Sequence, residues 1–532
     1  MNSKAIILIV GIIVVVAAAC AVFVLMGNNS SHDEDITLIL GTKEDTGPIS
    51  TTSSSFYEQR RMIVQEPLIA FGTNQLYENM TLEKSTTQDN LTWNLKLKSG
   101  IVWSDGEKYT ANDVKQTINI YSIARANVVA NIESVTVVDD LNLTLVLKTA
   151  ASDLGGTLSN IPILPWHIWE SYNIKTAEDY QKVTDINAFI GTGPYKVKSL
   201  NATGDELTYV YNEKYRDGKP NVTTIILKHY GEESAMIAAL LAGEIDAVYN
   251  YGSPGVNASY LEKIEEAKNL DYLKVVTGGV PADILFNMRN SISLDPDFRK
   301  AVKYALDYEQ IIKYVAPATG SVANAGLVPS TIDGYIETEK LGINLSKAEA
   351  CMKDYFKTYG LDWNKDKVNF DVLIVQKNDL FTNIFTLMKE QLAKINIVLN
   401  SIDIGTQSVV NVARDPSTAA TLFFMTDAAI KNYAGFASHY ISATGTLQFV
   451  YGATVQDEDY EKIVDGMLVA KTDAEKKNYA KQFQEYYEEN VVAIPLYWGA
   501  YIQPYNVKYE GWTCSAASGL LCYENLFNLK AA

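Results

Sequence analysis

The chain opens on an uncharged run, AIILIVGIIVVVAAACAVFVLM, over residues 5–26. At about 1.5 Å of helical rise per residue this run is long enough to cross a hydrocarbon core of about 30 Å, and no polar stripe interrupts it. NNSSHDED at 28–35 is polar and aperiodic, a linker. ITLILG at 36–41 predicts a buried strand, and a Gly/Pro/Ser/Thr-rich loop follows. A helical pattern over 56–68 ends at Pro67. Residues 91–97 alternate as a strand does, and a turn at 104–106 follows. Thr110 and Asp113 predict the N-terminus of a helix over 111–123: the hydroxyl accepts from first-turn N–H groups and the carboxylate sits at the positive helix end. Residues 135–138 and 141–147 read as a hairpin turning at Asp139-Asp140, and 195–200, 207–211 and 224–228 as three more strands. Helices are predicted at 234–242 (stopped by Gly243), 298–315, 346–359, 381–393 and 474–489, with strands at 370–375 and 491–497. The 381–393 helix carries Ile384, Phe385, Met388 and Leu392 on one stripe. Strands and helices alternate irregularly, as in an α/β or α+β chain of several domains.

Length agrees, since 532 residues exceed what one core holds. A formal net charge of -18 argues against a nucleic-acid partner. Lys4 before the apolar run and Asp33, Glu34 and Asp35 after it place the N-terminus in the cytoplasm and the remainder outside. The run then has three fates: a retained anchor, a signal peptide cut near Ala17-Ala18-Ala19, or cleavage with lipidation of Cys20. Outside the cell, Asn79, Asn90 and Asn142 stand in glycosylation sequons. Cys514 and Cys522 enclose a short loop that a disulfide can close. Cysteine and histidine spacings do not build a zinc site, and the chain carries no P-loop, GxSxG, HExxH or GxGxxG. The expectation is a non-enzyme that requires no cofactor.

Eight segments, in order, carry a resemblance: QEPLIAF from Gln65, WNLKLKSGIVWSDGEKYTANDV from Trp93, ILPWHIWE from Ile163, IGTGPYKV, YNEKYRDGKPNVTTI, LLAGEIDAVY, ILFNMRN with DFRKAVKYALDYEQII, and VVAIPLYW. Together they resemble the peptide/nickel-type solute-binding proteins of ABC importers, over about residues 36–512. The resemblance implies an α/β, two-lobed periplasmic-binding fold (type II, cluster C) with an extra subdomain, preceded here by the N-terminal transmembrane helix. It divides the chain into 1–27 (anchor or signal), 28–35 (linker), 36–66 with 190–272 and 493–532 (first lobe), 67–189 (extra subdomain) and 273–492 (second lobe).

The implied role is extracytoplasmic capture of a small polar solute, an oligopeptide first, by hinge closure and delivery to permease subunits, by a monomer held at the membrane. A nickel ion or chelate, an oligosaccharide, or a surface-sensor role without a permease stand as alternatives. In peptide binders an acidic residue of the second lobe pairs with the α-ammonium; Asp427 takes that place, although the surrounding LFFMTDAAIKNYAGF lacks the family's following Tyr, Asp and Pro. Ser50, Thr51, Thr52 and Ser53 stand in a loop that lines the cleft in relatives. Tyr433, Tyr440, Tyr497 and Trp498 are the expected cleft aromatics, and His439 the candidate for the nickel reading. Most matched residues read as structural: Gly191, Gly193 and Pro194 as a turn with unusual dihedrals, Arg299 and Asp307 as two groups pinning one helix, and His167 as a packing or hydrogen-bonding residue.

Overall fold

The computed structural model describes residues 35–43, 63–72, 77–151, 154–159, 161–201, 203–249, 255–276, 280–330, 334–374, 379–405, 412, 420–427, 457–514 and 519–532. Three larger sheets organise it. A seven-stranded sheet runs, in spatial order, Leu270–Val276, Ala500–Asn506, Ala247–Val248, Ile36–Thr42, Val222–His229, Glu206–Tyr211 and Tyr195–Leu200. A five-stranded sheet runs Ile397–Asp403, Val368–Ile374, Leu422–Asp427, Val280–Phe286 and Ala493–Tyr497. A four-stranded antiparallel sheet runs Leu82–Thr87, Thr92–Leu97, Asn142–Leu147 and Ile132–Val137.

The cores follow a different division from the sheets. One apolar cluster runs without a break from Leu38 and Ile225 of the seven-stranded sheet into Trp93, Leu95, Leu143 and Tyr121 of the four-stranded unit. A second cluster gathers the five-stranded sheet and its helices, from Ile284 and Phe370 to Tyr460, Phe483 and Tyr487. Met236, Leu240, Val248 and Ile502 form a third, smaller cluster on the seven-stranded sheet.

Local chemistry sets many elements as the sequence predicts. Thr110 and Asp113 make a capping box at the start of Ala111–Ala124, and Asp113 also accepts from Trp166 N at 3.0 Å, so one carboxylate fixes two segments. His167 meets Asp105 at 2.8 Å, the hydrogen-bonding role expected of it.

Several expectations change. The single helix over 298–315 is two, Pro296–Ala305 and Tyr308–Val315, because the Asp307 carboxylate accepts from Gln310 N at 2.9 Å and starts a new helix. Arg299 and Asp307 therefore do not pin one helix: Arg299 instead donates to the carbonyls of Asn490, Ser293 and Leu294. Gly191 and Gly193 are not in the left-handed region; their reason is space, since a Cβ would lie 1.6 Å from Val64 O at Gly191 and 2.4 Å from Ile63 O at Gly193. Ala493–Tyr497, at the start of the 493–532 segment, pairs with Val280–Phe286 in the five-stranded sheet. The membrane-spanning expectation at 5–26 lies outside the described residues, and among the described residues no helix is long and apolar enough to cross a membrane.

Candidate functional site

In the described residues the chain passes between the seven- and five-stranded sheets twice, and the two passages are neighbours. Leu270–Val276 leads to Val280–Phe286; Ala493–Tyr497 leads to Ala500–Asn506. On one side of the passage Val276 pairs with Ala500; on the other Ala282 pairs with Tyr497. Two adjacent strands thus form the connection, and rotation about a few backbone dihedrals there moves one sheet against the other.

The same edge gathers strand ends. In the five-stranded sheet Val368–Ile374, Ile397–Asp403 and Leu422–Asp427 are mutually parallel, and Ala493–Tyr497 runs with them because both it and Leu422–Asp427 are antiparallel to Val280–Phe286. Their C-terminal ends all face the passage. In the seven-stranded sheet the C-terminal ends of Ile36–Thr42, Val222–His229, Ala247–Val248 and Leu270–Val276 face it too. Ligands of open α/β sheets bind in the crevice outside such ends. Here two sets of ends oppose one another across a two-strand connection, the geometry of a cleft that closes.

Of the predicted site residues, Asp427, Tyr497 and Trp498 are among those described, and they lie at this edge. Asp427 ends its strand directly opposite Val280, one step from the passage. Tyr497 ends the neighbouring strand; it is 4% exposed, and burial pushes its phenol up to about 12, so it stays neutral at physiological pH. Trp498 sits in the passage itself and exchanges two backbone hydrogen bonds of 2.9 Å with Ser321. Both aromatic rings are buried in the second core. Ser50, Thr51, Thr52, Ser53, Tyr433, His439 and Tyr440 lie outside the described residues. The first four follow the strand Ile36–Thr42 in sequence and the last three follow Leu422–Asp427, two strands whose C-terminal ends border the cleft.

Sequence reasoning missed Asp283, a fully buried carboxylate on the strand Val280–Phe286 opposite Met425 and Pro495. Its signal was a lone charge inside the apolar ADILF. Reasoning also passed over a buried, heavily bonded charge. Glu66, with a side chain 0% exposed, takes both Arg216 Nη atoms at 2.6 and 2.8 Å, Thr192 Oγ1 at 2.9 Å and Tyr523 Oη at 2.8 Å. Burial opposes the guanidinium charge, the carboxylate more than offsets it, and Arg216 titrates above an ordinary arginine. Such a filled coordination leaves no acceptor for a ligand; the node joins segments.

The structure holds Cys514 and Cys522 as thiols, so the expected disulfide is not formed in it; burial pushes each thiol up to about 12. Among the described residues no group of three or more His, Cys, Asp or Glu side chains is placed to hold a metal ion.

The family model for the bacterial extracellular solute-binding proteins, family 5 (Middle), matches residues 75–430. The oligopeptide-binding protein AppA of Bacillus subtilis (strain 168) is 25% identical over 417 residues, 75% of this chain and 73% of that one. Its structure in complex with a nonapeptide is similar at a TM-score of 0.63 and 20% identity, covering 93% of this chain and 99% of the other. NikZ of Campylobacter jejuni, solved with Ni(L-His), is similar at a TM-score of 0.65 and 20% identity, covering 89% and 95%. At these identities the structural likenesses speak to the two-lobed fold. The model match, which spans more than half of the chain, assigns it to a family: the protein is a member of the bacterial extracellular solute-binding proteins, family 5.

Proposed function

We propose that this protein is the substrate-binding component of an ABC importer, and that it captures an oligopeptide between its two lobes by hinge closure. The observation that carries this reading is the pair of adjacent connecting strands with the C-terminal edges of both sheets facing it. Such a connection permits closure, and a ligand that contacts both edges favours the closed form by its differential affinity. The peptide reading draws on the relative that is named an oligopeptide-binding protein. Asp427, at the strand end beside the hinge, is proposed to pair with the peptide's α-ammonium group. Tyr497 and Trp498 would form the floor of the cleft, with Ser50 to Ser53 and the 433–440 segment as its two rims.

In this reading the first lobe comprises residues 36–66, 190–276 and 498–532, the extra subdomain 67–189, and the second lobe 280–497. The uncharged run at 5–26 would tether the protein beside its permease and raise its effective concentration there.

The test is a thermal-shift screen of the purified protein against di- to pentapeptides, oligosaccharides, and Ni²⁺ with and without histidine. A ligand at 100 times its dissociation constant stabilises by ~2.7 kcal/mol. The expected result is a shift with peptides that shrinks at least tenfold in affinity in Asp427→Asn, which keeps shape and removes charge. A shift confined to nickel complexes or sugars would replace the substrate and keep the fold's role.

A further inference from the structure

Two turns far apart in sequence meet between the four-stranded unit and the second core. On one side is the tight turn joining Leu82–Thr87 to Thr92–Leu97. Its backbone is fixed by its own side chains: Thr87 Oγ1 accepts from Asn90 N at 3.0 Å, and Asp89 Oδ1 accepts from Leu91 N at 2.9 Å and Thr92 N at 2.7 Å. Asn90 stands at φ 58°, a left-handed conformation that asparagine and glycine tolerate and other residues resist. Its carbonyl accepts from Trp93 Nε1 at 3.2 Å and Ala151 N at 3.0 Å. On the other side Glu458–Val469 ends and, after Ala470, Lys471 and Thr472, Asp473–Asn490 begins behind a capping box built by Thr472 and Glu475.

The meeting is polar. Asn90 Nδ2 donates to Val469 O at 2.9 Å, and Lys471 Nζ donates to Gln88 O at 3.4 Å. The last carbonyls of a helix have no partner within it. Here the Val469 carbonyl receives its partner from a different core, and the helix end is capped in trans. Asn90 is only 5% exposed although it stands in a turn. This also removes it from the sequon reading, since its amide nitrogen is engaged.

We infer that Asn90 and Lys471 form a latch that favours, independently of ligand, the arrangement of the lobes in which these two turns touch. The inference rests on the two-lobed closure proposed above and deepens it. The four-stranded unit shares one continuous core with the seven-stranded sheet, and Arg216 of that sheet's segment donates to Met80 O, just before the unit's first strand, at 3.2 Å, so the unit moves with the first lobe. The helices on the other side belong to the second core. Neither partner belongs to the connecting strands, so rotation at the hinge must break both hydrogen bonds or slide them. Because both turns are held by internal hydrogen bonds, the latch forms between two prebuilt surfaces and requires little ordering of either. Two neutral-acceptor hydrogen bonds bias an equilibrium without locking it, which suits a protein that must open to release its cargo.

The experiment needs no ligand. Spin labels carried by unnatural amino acids replace Lys84 and Lys477, exposed residues on the two sides, and the distance distribution of the ligand-free, full-length protein is measured by double electron–electron resonance. Asn90→Gly keeps the left-handed turn and removes the amide; Asn90→Asp keeps the turn and sets a carboxylate against a carbonyl. Each is expected to lower the ratio of latched to unlatched molecules about two- to tenfold, with weight moving to longer distances, Asn90→Asp the more. Lys471→Met is expected to move it the same way by less. Unmoved distributions in both Asn90 variants, or a move to shorter distances, would overturn the latch. Failure of every peptide to bind would instead bear on the substrate alone.

Discussion

At Arg216 the four-stranded unit is held to the seven-stranded sheet by a guanidinium that donates to Met80 O at 3.2 Å while it pairs bidentately with the fully buried Glu66 carboxylate, whose coordination two hydroxyl donors complete. At Asn90 the same unit meets the second core through one amide and one lysine, each giving a single hydrogen bond to a carbonyl. The first junction continues through a shared apolar core; the second joins two separate ones. Breaking the first leaves a buried charge unpaired, whereas breaking the second returns its groups to water. The difference teaches where the proposed closure would act: the three larger sheets share two main cores, and the hinge lies between those two bodies.

The comparison breaks most directly at Arg216. Arg216→Met is expected to destabilise the protein by about 3–5 kcal/mol, the cost of leaving the Glu66 carboxylate buried without its counter-charge. Equilibrium unfolding in urea followed by tryptophan fluorescence reads it. Arg216→Met combined with Glu66→Gln should cost less than the two single changes summed, since the pair acts as one unit. A loss below about 1 kcal/mol in Arg216→Met would mean that the apolar core alone joins these bodies.

A smaller break is available beside it. Gly191→Ala forces a Cβ to within 1.6 Å of Val64 O, so the backbone of the junction must shift. The expected cost is about 1–3 kcal/mol, the range for overpacking, in the same urea experiment. A neutral result would show that the segment around Val64 yields without loss, contrary to a rigid first body.

Much of this was legible in the sequence, for identifiable reasons. The capping box at Thr110, the hairpin at Asp139 and the strand Ile36–Thr42 are set by neighbours in sequence, and local pattern reaches them. Of the strands that build the hinge, only Ala493–Tyr497 was predicted. Ala500–Asn506 carries Pro504 and Val280–Phe286 carries Pro281 and Asp283, residues that local propensity counts against a strand. Tertiary pairing overrides that preference, and Gln503 Nε2 donating to Val248 O at 2.7 Å helps to hold the first of them. The break at Leu306-Asp307 was hidden because apolar periodicity continues across it; only the capping chemistry of Asp307 marks a restart. The Glu66–Arg216 pair could not be read at all, since nothing local couples residues so far apart. The proposed site rests on Asp427 and on loops named from the sequence, while the edge that the adjoining strand ends form is a property of the register.

The gentlest test of the first body's rigidity uses pH. Asp105 sits in the turn before Thr110 and meets His167 at 2.8 Å. Burial tends to raise its pKa, but the His167 hydrogen bond and charge, with Glu107 N, more than offset this, and the pKa is lowered. A carboxyl lowered on folding contributes stability above its unfolded value, and that contribution is lost as pH falls through the folded one. The window therefore lies below about pH 4, where an unperturbed aspartate also protonates. Both side chains keep contact with water, so the contribution is under about 1 kcal/mol. Asp105→Asn should lower the urea midpoint slightly at pH 6 and leave it level with the wild type at the acid end of the window. It should leave the spin-label distances untouched at every pH, because both partners ride on the first body. A shift in those distances would place the Asp105 turn on the moving interface and redraw the boundary between the two bodies.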